Sequence, residues 1–214
     1  MAANLAAVYA QAGLKTVLVS ADLRKPRLDT LFPHLTPGPG LSEVIAGMTP
    51  LSPSTNGRGP AVPDTTALVK ALRPTHIDGL SILPAGKTPP NPAELLGSKR
   101  AVELLDQLSD LADVVIVDTP PVLPVTDAAV LAPHVDGVVL VASAGETHRG
   151  ALTRAATTLA STRTRLLGVI LNKTDIESGS SYYGRYYGQY YGAYTTTQPT
   201  SRLPWKRNPK APTQ

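Results

Sequence analysis

The sequence contains no cysteine, which excludes disulfide bridges and thiolate zinc sites. Aromatic residues make up only 5% of the 214 residues, and most of them are tyrosines in one segment. The core must therefore consist of Ala, Val, Leu and Ile, as is typical of parallel α/β proteins. No apolar run approaches the roughly 18 residues of a membrane span, and no signal-peptide pattern stands at the start. The length fits one large α/β domain with a tail.

The net charge of +4 is distributed unevenly along the chain. After Gly184 there is no acidic residue, and the basic residues are Arg185, Arg202, Lys206, Arg207 and Lys210. Such a tail can meet an anionic membrane, phosphate or nucleic acid, or it can be no more than a soluble end.

Residues 112–121 read Ala-Asp-Val-Val-Ile-Val-Asp-Thr-Pro-Pro. The unbroken apolar run predicts a strand buried on both faces of a parallel sheet. Asp118 then lies at the carboxyl end of that strand, where open α/β sheets place their ligands. Apolar residues before an Asp are the pattern of a Walker B strand, whose carboxylate holds magnesium beside nucleotide phosphates. An Asp that only caps a strand end is the alternative, but the double proline after it favours the Walker B interpretation.

A second strand is predicted over residues 15–21, and Asp22 follows it directly, ahead of the basic residues Arg24, Lys25 and Arg27. An acidic residue and a basic cluster at a strand end suit a metal ion and phosphate. A charged loop with internal ion pairs is the alternative for this stretch.

The remaining pattern alternates helices with strands. Helices are predicted over residues 2–12, 40–47, 125–132 and 147–159, and strands over residues 68–72, 80–83, 136–142 and 166–171. An irregular loop is expected over residues 49–64. Asn91 is expected to cap one helix, with Glu94 reaching back to the cap amide, and Ser98 to cap the next. The alternation predicts an α/β fold with right-handed crossovers and a mainly parallel sheet flanked by helices on both faces.

The tail is different in kind, because residues 182–194 repeat Tyr-Tyr-Gly every four residues. Seven of the eight tyrosines lie here: Tyr182, Tyr183, Tyr186, Tyr187, Tyr190, Tyr191 and Tyr194. Glycine at every fourth place opposes both helix and strand. We therefore predict a domain over residues 1–176 and a disordered tail over residues 177–214, with exposed phenols that can stack, adhere or accept phosphate.

These motifs resemble the bacterial tyrosine kinases of capsule and exopolysaccharide assembly, which are P-loop ATPases related to MinD and ParA. Residues 17–26 are similar to the second Walker-type motif of that family, and residues 115–121 to its Walker B strand. Residues 125–128 are similar to the helix that follows, and residues 83–96 to a family-specific stretch. The tail resembles the tyrosine cluster that these enzymes autophosphorylate.

The resemblance implies ATP and Mg²⁺ as cofactors, with Asp22 and Asp118 holding the metal directly or through water. It implies that Arg24 binds phosphate or orders its loop, that Asp22 is the base for the incoming phenol, and that Asn172 contacts the adenine. The tail tyrosines are the implied acceptors.

The implied partners are a membrane-spanning activator of the polysaccharide copolymerase type, further copies of the chain in a homo-oligomer, and a cognate tyrosine phosphatase. The implied location is the inner face of the plasma membrane, reached from the cytoplasm through a partner or an upstream region. No nucleic acid is expected.

Two departures from the family pattern are visible in the sequence. The family places a strand and a Gly-rich phosphate loop ending Gly-Lys-Ser/Thr before the helix that residues 2–12 resemble, and nothing precedes that helix here. We expect a P-loop NTPase-like sheet that lacks its first strand, and a Met1 that is a fragment boundary or a misassigned start. In addition, Ser20 stands where the family usually has an acidic residue, and a serine cannot accept a proton at neutral pH.

These departures leave two other hypotheses open. One is a catalytically impaired adaptor whose tail is phosphorylated by another kinase, which the missing phosphate loop and Ser20 favour. The other is a ParA-like partitioning ATPase with a basic tail for DNA, although such a protein has no need of a tyrosine repeat.

Overall fold

The computed structural model of the chain describes residues 1–47 and 66–174. The predicted loop over residues 49–64 and the predicted tail lie outside the described residues, so both stay predictions. The boundary at residue 176 falls there too. Residues Met1–Asn172 form one compact unit.

The helices of the described residues are α1 (Ala2–Gln11), α2 (Leu28–Leu31), α3 (Leu41–Ala46), α4 (Thr66–Ala71), α5 (Pro92–Leu96), α6 (Lys99–Leu111), α7 (Asp127–Leu131) and α8 (Arg149–Ala160), with a 3₁₀ turn at Ala132–His134. The strands are β1 (Thr16–Ser20), β2 (Arg73–Pro74), β3 (Leu80–Leu83), β4 (Val114–Asp118), β5 (Val138–Ser143) and β6 (Leu166–Asn172). None of these helices is long and apolar enough to cross a membrane.

The strands form two sheets. The first has the order β2-β3-β1-β4, in which β1 runs parallel to both β3 and β4 while β2 is antiparallel to β3. The second is the parallel pair β5-β6. The predicted α/β class with a mainly parallel sheet is confirmed. Among the described residues no strand pairs with the outer edge of β4.

The prediction that β4 is buried on both faces is wrong. All five residues of β4 are half-buried, whereas all five residues of β1 are buried. The difference follows from position, because β1 has a neighbouring strand on each side and β4 has a neighbour on one side only within residues 1–47 and 66–174. The strand buried on all sides is therefore the one that leads to Asp22.

Helices cover both faces of the first sheet. On one face, Leu18, Leu80 and Ile82 pack against the alanines of α1, namely Ala3, Ala6 and Ala10. On the other face, Val17 and Val19 pack with the leucines of α6 and with residues of α3, α4 and α5. Alanine on α1 lets that helix lie close to the strands, while leucine fills the wider space on the α6 side. A smaller cluster joins Leu140 of β5 to Ala155 and Leu159 of α8.

Two local expectations need correction. Residues 68–72 were a candidate strand, but Thr66–Ala71 is helix α4, in which Leu68 and Ala71 are buried three positions apart while Val69 is exposed. That spacing is typical of one face of a helix.

At α5, the Asn91 side chain does not cap the backbone; its Nδ2 donates to Glu94 Oε2 at 3.0 Å. The cap by Ser98 is confirmed, since its Oγ accepts from the Ala101 amide at 3.3 Å.

Candidate functional site

The carboxyl ends of β1 and β4 bring the two predicted acidic residues to one edge of the sheet. Ser20 and Asp118 are partners in the parallel register, and the Ala21 amide donates to the Asp118 carbonyl oxygen at 2.8 Å. Asp22 follows one residue later. After burial, the negative charge of Asp22 is a further cause that raises the pKa of Asp118.

The surroundings of Asp118 disfavour the ionised form of its carboxyl group and raise its pKa. Burial raises its pKa most, the α-amino group of Met1 opposes this, and the Asp22 carboxylate raises it further. A half-buried carboxylate beside a second carboxylate is a place where a cation relieves both desolvation and repulsion.

The donor set fits magnesium held together with phosphate, not an all-protein metal cage. Within residues 1–47 and 66–174 no group of three or more His, Cys, Asp or Glu is arranged to hold a metal ion. Mg²⁺ usually keeps several waters and takes one or two carboxylates plus the phosphates of its nucleotide. Asp22 and Asp118 supply that number of carboxylates.

The loop after β1 holds the Asp22 side chain in a defined orientation. Its Oδ1 atom accepts hydrogen bonds from the Arg24 amide at 3.1 Å and the Lys25 amide at 3.0 Å. An Asp that binds backbone amides two and three residues ahead closes a tight turn on itself. Both of these hydrogen bonds end on the same oxygen, Oδ1.

The Arg24 guanidinium binds Asp127, a residue to which the sequence had assigned no role. Nε donates to Oδ2 at 2.9 Å and Nη2 to Oδ1 at 2.8 Å, in the two-bond geometry of a strong arginine–carboxylate pair. The hydrogen bond to Asp127 raises the pKa of Arg24. Sequence reasoning missed this contact because it joins positions 103 residues apart, and an Asp in the first turn of a helix is usually only a cap.

The other predicted residues are placed as follows. Ser20 is buried, at 1% exposure, at the end of β1 beside Asp118. Asn172 lies at the carboxyl end of β6, paired with Ser143 in the second sheet, and its backbone oxygen accepts from the Ala144 amide at 2.8 Å. The structure thus brings together Asp22, Asp118 and the loop of Arg24, while Asn172 belongs to the other sheet. The tail tyrosines lie outside the described residues.

A second feature near the first sheet joins the loop after β3 to the start of α3. Glu43 accepts hydrogen bonds from the Gly40 amide at 3.0 Å and the Lys87 amide at 3.1 Å. The Leu41 amide donates to Pro84 O and the Ser42 amide to Ala85 O. This cluster fixes the first part of the stretch 83–96, which the sequence marked as family-specific without a structural reason.

Comparison with known proteins identifies the relatives. No protein-family model matches the chain. The tyrosine-protein kinase YwqD of Bacillus subtilis is 40% identical over 185 residues, which is 86% of this chain and 70% of the relative. The tyrosine-protein kinase CpsD of Streptococcus agalactiae is 32% identical over 179 residues, covering 84% of this chain and 70% of the relative.

Solved structures agree with the sequence comparison. The kinase domain of the Escherichia coli tyrosine kinase ETK has a TM-score of 0.71 and 32% identity, covering 85% of this chain and 64% of that one. MinD from Pyrococcus horikoshii, solved with Mg-ADP, has a TM-score of 0.61 at 21% identity over 85% of this chain and 65% of that one, which establishes a shared fold. The predicted resemblance is confirmed, and the kinase interpretation is preferred over the adaptor and partitioning alternatives: the chain belongs to the family of bacterial tyrosine-protein kinases.

Proposed function

We propose that this chain is an ATP-dependent protein-tyrosine kinase domain that autophosphorylates its tail and thereby regulates capsule or exopolysaccharide synthesis. The observation that carries the proposal is the convergence of Asp22 and Asp118 at one end of the parallel strands β1 and β4. Phosphoryl transfer depends mainly on positioning and charge neutralisation, and two carboxylates at this edge suit both.

In this proposal Asp22 and Asp118 hold Mg²⁺, directly or through water. A magnesium ion held by these two carboxylates would supply the positive charge that offsets the charge developing on the phosphates of ATP. The Asp22 side chain enters the site already oriented by the amides of Arg24 and Lys25. The buried Ser20 hydroxyl cannot remove a proton from a phenol at neutral pH, so Asp22 is also the proposed base.

The proposed acceptors are the tail tyrosines at positions 182, 183, 186, 187, 190, 191 and 194. Each phosphate adds about −1.5 to −2 charges. Asn172 is the proposed adenine contact, on the strength of the family resemblance.

The proposed partners also follow from the resemblance: a membrane-spanning activator of the polysaccharide copolymerase type, further copies of this chain, and a cognate tyrosine phosphatase. The activator or an upstream region would hold the domain at the cytoplasmic face of the plasma membrane. Charge that accumulates on the tail would loosen the oligomer. No role for nucleic acid is proposed.

The experiment is phosphotyrosine mapping after incubation with ATP and Mg²⁺, with protein made from the complete reading frame, including any codons that precede Met1. We expect phosphate on residues 182–194 of the unaltered protein and a loss of at least about 100-fold in Asp118→Asn, because the variant removes one of the two carboxylates proposed to hold the Mg²⁺ that neutralises the transferring phosphate. Asp136→Asn is the control, since Asp136 is exposed in the turn before β5. Unchanged phosphorylation in Asp118→Asn would rule out the proposed site.

A further inference from the structure

The ion pair between Arg24 and Asp127 joins two chain segments that each follow one of the carboxylate-bearing strands. Arg24 lies in the loop after β1, two residues beyond Asp22. Asp127 is the first residue of α7, which follows β4 and Asp118 after a short connection. The ion pair therefore connects the segment that follows Asp22 to the segment that follows Asp118.

Burial makes this pair a fixed contact. The Asp127 side chain has no exposed surface, whereas the Arg24 side chain is 38% exposed. A buried carboxylate is costly unless both of its oxygens have donors, and Arg24 provides one donor to each. Asp127 therefore holds the guanidinium in one place and orientation.

Arg24 also positions the Asp22 carboxylate, through its own backbone amide. The Arg24 amide donates to Asp22 Oδ1, so the position of Arg24 sets the turn on which Asp22 depends. With Nε and Nη2 both engaged by Asp127, one of the two edges through which a guanidinium can bind a phosphate by two hydrogen bonds is occupied. These contacts favour an ordering role for Arg24 over direct phosphate binding.

We propose that Arg24 is a positioning residue: anchored by the buried Asp127, it fixes the position of Asp22 relative to Asp118, and with it the affinity for the nucleotide-bound metal. The inference rests on the proposed function, because it presumes that these carboxylates hold Mg²⁺. Residues that orient metal ligands in this manner typically change metal affinity or activity by about 10- to 100-fold when removed.

The test measures autophosphorylation as a function of Mg²⁺ and, separately, of ATP, in protein from the complete reading frame. Arg24→Gln and Asp127→Asn are each expected to raise the Mg²⁺ concentration for half-maximal rate about 10- to 100-fold. The double variant is expected to be no worse than the more affected single variant, because the two residues act as one unit. Arg149→Gln, at the exposed start of α8, is the control.

A direct phosphate contact by Arg24 would give a different pattern. Arg24→Gln would then raise the KM for ATP while Asp127→Asn left the Mg²⁺ dependence unchanged, and that result would overturn the proposal. Arg24→Lys distinguishes a positioning role from direct phosphate binding, because it keeps the positive charge at this partly exposed position. Lysine is expected to leave the Mg²⁺ defect in place if positioning matters, because it lacks the two-bond fork.

Manganese binding distinguishes a failure of this inference from a failure of the kinase assignment. Electron paramagnetic resonance of Mn²⁺ in the presence of ADP reports the metal site without any phosphoryl transfer. Weaker Mn²⁺ binding in Asp127→Asn supports the positioning role even if no phosphotyrosine forms. Equal Mn²⁺ binding in the unaltered protein and in a folded Asp127→Asn, with melting temperature as the check of folding, contradicts it.

Discussion

Glu43 illustrates how a single side chain links two parts of this chain. Burial raises its pKa, but hydrogen bonds from the amides of Gly40 and Lys87 and from the Ser42 hydroxyl outweigh burial and hold the pKa of Glu43 below its usual 4.5. Charge-assisted bonds of this kind stabilise the ionised form. Ionised Glu43 therefore contributes stability at neutral pH.

Glu43→Gln is expected to lower the free energy of unfolding at pH 7 and to have little effect in acid. A carboxyl group with a lowered folded-state pKa contributes fully above its unfolded pKa and loses that contribution as the pH falls through its folded value. Urea unfolding at pH 7 and at a pH about two units below the ordinary pKa of Glu checks this. Glu103→Gln, which disrupts a 3.8 Å surface pair with Lys99, should change little at either pH. An equal loss at both pH values would contradict the assignment.

Residues differ in how far sequence reasoning reaches them. Asp22 and Asp118 could be predicted because an acidic residue at the end of an apolar strand is visible in the local pattern. Asp127 could not, because its importance depends on burial and on a partner more than 100 positions away. The same limit applies to Glu43, whose amide partner at Lys87 comes from a different part of the chain.

At the scale of elements, the loop after β3 and the start of α3 meet backbone to backbone. A Cβ atom on Gly40 would lie 2.3 Å from the Gly86 amide nitrogen and 2.6 Å from the Pro84 carbonyl oxygen. A Cβ on Gly86 would lie 1.9 Å from Glu43 Oε2, and Gly86 has a φ of +78°. The two glycines thus permit the close approach that the hydrogen bonds of Glu43 then hold.

Gly40→Ala is expected to destabilise the protein by about 1–3 kcal/mol, since backbone atoms must move to admit the methyl group. Gly150→Ala is the matched control, because nothing lies within 4 Å of a Cβ there and the residue sits in the first turn of α8. The control should be unchanged or more stable by up to about 1 kcal/mol, owing to the helix preference of alanine. Chemical denaturation measures the free energy of unfolding of both variants. A Gly40→Ala protein as stable as the parent would refute the close contact.

Helices and strands with a strong local sequence pattern could be predicted. Those whose type or burial depends on packing against other elements could not. The long α6 and the apolar runs of β1, β3, β5 and β6 were recognisable in the sequence from their periodicity. Short segments such as residues 68–72 suit either class until packing selects one, and here the burial of Leu68 and Ala71 selects a helix. The partial exposure of β4 depends on which strands surround it, and no property of residues 114–118 encodes that.

At the scale of the whole molecule, stability is expected to be uneven between the two sheets. Strand β1 is buried throughout and paired on both sides, and helices cover both faces of its sheet. In the pair β5-β6, apolar side chains on both strands are exposed: Val139 (40%), Val141 (51%), Leu167 (57%), Val169 (47%) and Leu171 (58%). Regions with fewer buried contacts open locally at lower free energy.

Amide hydrogen exchange should therefore be slowest in β1 and β3 and faster in β5 and β6. The measurement is peptide-level or residue-level exchange of the chain of 214 residues under native conditions. Slower exchange in β6 than in β1 would mean that the second sheet is the stable centre of the molecule, contrary to the burial of the described residues.

The outer edge of β4 has a consequence for the chemistry at its end. Asp118 is carried by a strand whose backbone groups have partners along one side only, as far as residues 1–47 and 66–174 extend. An extended segment that paired along the open side would stiffen β4 and hold its terminal carboxylate still. Pairing along that edge and the position of the Asp118 carboxylate would then be linked.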